Sequence, residues 1–159
     1  MKLKLAQLST IILFALVMGV FWGTWFALSR SIAGLRPQTF LDIGHTAIRN
    51  LGVPMSILMP LALVSAVVML VLQPRGSKAF ALALAGFLLM VCALLVTLGV
   101  EVPIDNRIKE WTVTTLPSDW QAIRDRWELY HTIRTFVSIA ALGLVTASSL
   151  IDRREELRD

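Results

Sequence analysis

The sequence predicts an all-α integral membrane protein. The expected architecture is a four-helix bundle with a short interfacial helix after the first span and a long fourth helix extending out of the membrane. Three observations predict it. Four apolar runs, at about 10–29, 53–72, 79–100 and 129–151, each approach the roughly 20 residues needed to cross a bilayer. Charged residues make up 16% of the 159-residue chain, against about 25% in a soluble domain, and mean hydropathy is +0.70. At the mouth of the last run, Trp120, Arg124, Trp127, His131, Arg134 and Ser138 recur at steps of four and three residues, which places them on one face of a helix. Four spans leave enough chain for one domain, 1–159, with one outer loop at about 101–128.

The first run, Thr10–Ser29, follows Lys2 and Lys4 and so imitates a signal peptide. It is too long for a typical signal core and no small-residue cleavage site follows, so it reads as an uncleaved span. Gly19 and Gly23 within it form a small-xxx-small pair, which indicates helix packing. In Arg30–Gly52, Pro37 opens a helix of about 13 residues, on which Phe40, Ile43, Ala47, Ile48 and Leu51 recur at helical spacing as an interfacial stripe. Gly52, Val53 and Pro54 are expected to break this helix and begin the second span. Gln73–Lys78 is a compact turn between helices. The third span ends near Val100 and carries the single cysteine, Cys92, read as a packing residue. A polar segment, Glu101–Pro117, precedes Ser118, an expected N-cap with Gln121 completing the capping box. No proline occurs from Ser118 to Ile151, so one helix of about 50 Å at 1.5 Å per residue is expected, longer than a membrane requires.

The net charge of +4 comes from basic residues scattered at membrane edges, which points to anionic lipid headgroups and not to nucleic acid. With the N-terminus inside, seven basic residues crowd three short segments: Lys2 and Lys4, Arg75 and Lys78, and Arg153, Arg154 and Arg158. The other side holds eight in much longer segments diluted by acids. Density therefore places the chain in the cell (inner) membrane with both termini cytoplasmic. All the tryptophans (Trp22, Trp25, Trp111, Trp120, Trp127), Tyr130, His45 and His131 fall on the opposite, outer side.

That side carries the candidate site. Trp22, Trp25, Trp127 and Tyr130 form either an interfacial aromatic belt or the walls of a ligand site. Arg124 and Arg126 suit headgroup contact. Arg134 lies at or below the boundary, where an ionisable group marks a candidate functional site. Its expected partners are Glu101, Asp105 or Asp42, with Glu101 closing the third span at similar depth. His131 sits one turn above Arg134, and a neighbouring arginine favours its neutral form, which can act as base or ligand. His45 has no ligand spacing around it. There is no His-Glu-x-x-His, Cys-x-x-Cys or glycine-rich phosphate loop. Cofactor-free chemistry is the main reading of cofactor use. Haem or a metal ion held by His45 and His131 is the alternative. A non-enzymatic accessory subunit, with a homo-oligomeric or membrane-complex partner, is the third class.

The segment from Val102-Pro-Ile-Asp-Asn-Arg107 to Trp111, then Asp119-Trp120, then Arg124-Asp-Arg-Trp127-x-x-x-His131-x-x-Arg134, resembles the anthrone-oxygenase-like family of small four-span membrane proteins. Ile48-Arg-Asn-Leu51 leading to Met55 and Met59-Pro60 resembles it as well. The resemblance implies oxidation of the central carbon of an anthrone to an anthraquinone with molecular oxygen. It implies a lipophilic aromatic substrate, which would partition into the bilayer beside the membrane lipids that are the other expected partner. The one-sided placement of Trp22, Trp25, Trp127, His131 and Arg134 predicts an outer-mouth pocket for it between the first and fourth spans. In that chemistry His131 is the candidate base, and Arg134 or Arg107 holds the developing oxyanion. Trp127 and Trp22 are walls, Asn106 orients an oxygen, and Trp25, Tyr130 and Glu101 complete the binding set.

Overall fold

The computed structural model describes residues 1–29 and 31–156, with 152–156 described by their backbone alone. The side chains of Arg30, Arg153, Arg154 and Arg158, used above for topology, lie outside the described residues. Among the described residues all regular structure is helical. Helix α1 spans Lys2–Thr24 and continues through a π-helical turn, Trp25–Ser29. A 3-10 turn at Ile32–Gly34 leads to α2, Pro37–Leu72. Helix α3 spans Lys78–Val96, a π-helical turn covers Thr97–Glu101, and α4 spans Val102–Glu110. Helix α5 spans Trp120–Glu156. Four helical stretches, Lys2–Ser29, Pro37–Leu72, Lys78–Glu110 and Trp120–Ile151, are long and apolar enough to cross a membrane.

The four spans form a ring in which α1 packs against α2 and α5, and α3 packs against α5 and more lightly against α2. The tightest seam joins α3 to α5. Its α3 side is a stripe of Ala79, Ala83, Gly86, Met90 and Ala93, all buried. A Cβ built on Gly86 would come within 2.8 Å of Val145 Cγ2 and 2.9 Å of the Ala141 carbonyl, so only glycine admits this approach. Nothing lies within 4 Å of a Cβ at Gly19 or Gly23, so the packing role expected of that pair belongs to Gly86. At the α2–α3 turn, Ser77 caps α3 by accepting from the Phe80 amide (3.0 Å). Gly76 supplies the left-handed turn at φ 84°. Ser148 donates to the Ala79 carbonyl (2.7 Å) and accepts from Gln73 Nε2 (3.1 Å), tying the turn to α5.

Three expected boundaries move. The interfacial helix begins at Pro37 as read, with Arg36 extended before it as a pre-proline residue prefers. It does not end at Gly52–Pro54, and α2 runs unbroken through Pro54 and Pro60. Each proline removes one backbone hydrogen bond, which a packed membrane helix tolerates. Helical structure after the third span likewise continues past Val100 to Glu110, the π turn carrying the chain into α4. The fourth helix starts at Trp120 and not directly after Ser118. A turn closed by Trp120 N–H on the Pro117 carbonyl (3.2 Å) occupies Ser118, and the Asp119 carbonyl accepts from Ile123 (3.3 Å).

Two cores result. One fills the bundle and includes Phe14, Val17, Phe21, Met59, Met69, Met90 and Val145. The other, an outer core, caps the end of the bundle away from the α2–α3 turn, where Ile32, Phe40, Leu41, Ile104, Ile108, Trp111, Trp120 and Ile123 pack together. Cys92 packs in neither and is exposed on α3, correcting its reading as a packing residue.

Candidate functional site

A cavity of about 730 Å³ lies where the two cores meet. Phe21 and Met59 of the bundle core and Ile32, Phe40 and Ile108 of the outer core all line it. Its walls come from the C-terminal part of α1, the N-terminal part of α2, the Leu94–Lys109 stretch, and α5 through Trp127, His131 and Arg134. Val53 on α2 (69% exposed) and Leu98 on the π turn (57% exposed) also line it, so apolar surface flanks its opening between these helices. The lining is predominantly apolar, and most of its polar groups lie on the Thr97–Lys109 stretch and α5, with Thr24 on α1 and Arg49 and Ser56 on α2.

Helix geometry alone explains why the stripe on α5 points inward. Trp120, Arg124, His131, Arg134 and Ser138 are all buried, and Trp127 is half-buried between them. Its upper part holds the outer core together. Trp120 packs on Phe40 at 5.4 Å between ring centroids. Arg124 stacks over Trp120 at 5.2 Å, pairs with Asp125 (2.7 Å) and donates to the Ala33 carbonyl (3.3 Å). It therefore pins the α1–α2 connection to α5 and is not a headgroup contact.

The lower part meets the cavity. Arg134 Nη2 pairs with Glu101 Oε2 at 2.8 Å, and Glu101 is wholly buried. Arg134 Nη1 donates to Thr97 Oγ1 (3.2 Å), and its guanidinium stands over the Phe21 ring at 4.5 Å. Nε (3.1 Å) and Nη2 (2.9 Å) of Arg134 both lie on His131 Nδ1. Arginine only donates, so Nδ1 accepts and the neutral imidazole carries its proton on Nε2. That buried Nε2 has no hydrogen-bond partner among the described residues. Trp127 stacks on His131 at 4.9 Å and 7°, and its indole N–H donates to Asp105 Oδ1 (3.1 Å). Asp105, on the first turn of α4, also lines the cavity.

A family model described as anthrone oxygenase matches residues 48–144. The chain belongs to the anthrone oxygenase family. No curated protein and no solved structure gives a significant match. The anthrone oxygenase match spans most of α2, all of α3 and α4 and the cavity-facing part of α5. Phe21 and the rest of α1 lie outside it, as does His45.

Of the residues picked out by sequence, His131, Arg134, Trp127 and Asn106 line the cavity. Glu101 lies behind the wall, paired with Arg134. Trp22 and Trp25 do not line it; they cluster with Phe26 and Phe136 on the flank of α1 and α5, and Trp25 donates to Thr132 (3.0 Å). Arg107 and Tyr130 also lie off the cavity wall, Arg107 over Trp111 and Tyr130 beneath Arg126, each at 5.9 Å. His45 is not among the residues lining the cavity. Its Nε2 donates to the Ile108 carbonyl (2.8 Å) and fastens α2 to α4. Among the described residues no group of three or more His, Cys, Asp or Glu side chains has metal-site geometry.

Sequence reasoning names Asp105 only as a possible partner of Arg134 and does not single out Thr97 or Lys109 for the site. Asp105 had a signal. It stands four residues after Glu101, which shares a helix face only if the segment is helical, and Glu101–Pro117 was read as a polar connection. The part of the α2 wall up to Leu51 is visible as the stripe of Phe40, Ile43, Ala47, Ile48 and Leu51, and the expected break at Pro54 separates Met55 and Met59 from it.

Proposed function

We propose that this cavity accepts a planar aromatic or quinone-like lipophile from the membrane. We propose that it then oxidises an activated carbon of that molecule with molecular oxygen, without a bound redox cofactor. The observation that carries the reading is the half-buried to buried cluster of Trp127, His131 and Arg134 on one wall of a predominantly apolar cavity in an anthrone oxygenase family member. A site of this size, mostly apolar with a few convergent polar groups, suits a drug-sized aromatic molecule. The overall change converts a methylene flanked by aromatic rings, plus one molecule of oxygen, into a carbonyl and water.

The residues divide the work. Trp127 supplies a flat wall, already rigid because it stacks on His131 and bonds to Asp105. The His131 Nε2–H is a donor for the substrate's carbonyl oxygen, and Arg134 behind it supplies positive charge as that oxygen becomes an oxyanion. Asn106 accepts from Lys109 through Oδ1 (2.9 Å), which leaves its amide N–H groups free to hold an oxygen. The apolar rim formed by Val53 and Leu98 favours entry from hydrocarbon over entry from water.

Oxygen consumption by the purified protein in lipid nanodiscs, with anthrone as substrate, tests the reading. One oxygen should be consumed per anthraquinone formed. His131→Ala should lower turnover about 10²-fold, the usual effect of losing one oxyanion donor, while substrate still binds. Trp127→Ala should weaken binding instead. Binding of aromatic ligands without oxygen uptake would retire the enzyme reading and leave a binding protein.

A further inference from the structure

Oxidation of such a carbon by oxygen itself begins with loss of a proton, and the cavity wall restricts where that proton can go. Among the described residues lining it, His131 is the only imidazole and Asp105 the only carboxylate. The lone pair on His131 Nδ1 accepts from Arg134, and Nε2 already carries a proton. The histidine is therefore a donor through Nε2 and has no free lone pair with which to act as base. Glu101 is wholly buried, paired with Arg134 and absent from the wall. Asp105 differs on each point. It lines the cavity and is only partly buried, and Trp127 holds one of its oxygens, Oδ1. Its Oδ2 has no hydrogen bond among the described residues.

We propose that Asp105 is the base that removes the substrate's acidic C–H proton. The assignment rests on reading the cavity as a site for oxidising a carbon acid. The arrangement gives donor and base opposite tasks within reach of one indole. Trp127 stacks on His131 at 4.9 Å and reaches Asp105 at 3.1 Å. His131 takes the substrate's oxygen end and Asp105 the carbon end.

The steps balance. Asp105 takes a proton from the methylene carbon, leaving a carbanion delocalised onto the oxygen that His131 holds. The carbanion gives electrons to molecular oxygen and a C–O bond forms, producing a peroxide anion. The protonated Asp105 returns its proton to the peroxide. The regenerated carboxylate then removes the second proton from the same carbon. Its electron pair becomes the carbonyl bond as the O–O bond breaks, and the departing hydroxide takes the proton back from Asp105 as water. Asp105 ends as it began.

Proton removal can be measured without oxygen. Anthrone in D2O, kept anaerobic with the protein in nanodiscs, should exchange its methylene protons for deuterium faster than in buffer with empty nanodiscs. Asp105→Asn keeps an Oδ1 to accept from Trp127, so the wall survives. It should lower exchange about 10²-fold or more, the range for losing a general base, with anthrone binding retained as read by tryptophan fluorescence. Asp105→Glu should recover part of the exchange. Exchange by Asp105→Asn at the wild-type rate overturns the assignment, as does a wild-type protein that gives no acceleration. Exchange that depends on Asp105 without any aerobic oxygen uptake would support the base and retire the oxygenase reading. Oxygen uptake indifferent to Asp105→Asn would do the reverse.

Discussion

At the residue scale, the buried pair of Arg134 and Glu101 dominates. Each charge is out of water, so removing one leaves the other uncompensated, at about 3–5 kcal/mol. Arg134→Leu should therefore lower thermal stability in detergent far more than Arg126→Leu, whose side chain only covers Tyr130. Replacing both Arg134 and Glu101 with Leu should restore part of the loss, because the surviving charge is then gone as well. Equal melting temperatures for the two single variants would contradict the pairing. This pair was legible in the sequence, since a charged residue below a membrane boundary demands a partner and Glu101 ends the third span at matching depth. The tautomer of His131 was not legible. It depends on two guanidinium nitrogens converging on one ring nitrogen, and spacing along a helix does not specify which nitrogen faces which neighbour.

At the scale of elements, the α3–α5 seam depends on Gly86. Any side chain there meets the Ala141 carbonyl, which cannot swing aside, and Val145. Gly86→Ala should cost about 1–3 kcal/mol of stability through overpacking. Adding Val145→Ala should recover only part of it, because the backbone contact persists. Denaturation monitored by circular dichroism would check both, and a stable Gly86→Ala protein would show that the helices can separate freely. The spans and the inward face of α5 could be read from periodicity because a helix determines its own face. Gly86 could not, because a close approach depends on the partner helix, and Gly19 and Gly23 looked equivalent to it. The continuity of α2 was hidden for the opposite reason. Pro54 is a strong local signal for a break, and packing of the surrounding helix overrides it.

At the scale of the whole molecule, the helix order puts the α2–α3 turn at one end of the bundle and the α4–α5 connection at the other. With the dense basic segments inside, Ser77 should be labelled from the cytoplasmic side and Ser118 from outside when each is changed to cysteine. Cys92 is exposed on α3 and should first be replaced by alanine. Labelling of both from one side would contradict the four-span fold, and reversed labelling would contradict the orientation alone. The opening beside Val53 and Leu98 has a kinetic consequence. A ligand that enters between two helices is sampled by its crowding in the surrounding film, not by its molarity in the tube. Diluting a fixed amount of substrate with more phospholipid should slow the protein, while enlarging the volume of buffer should not. Detergent tails would crowd the same doorway, so apparent affinity should fall as micelles are added.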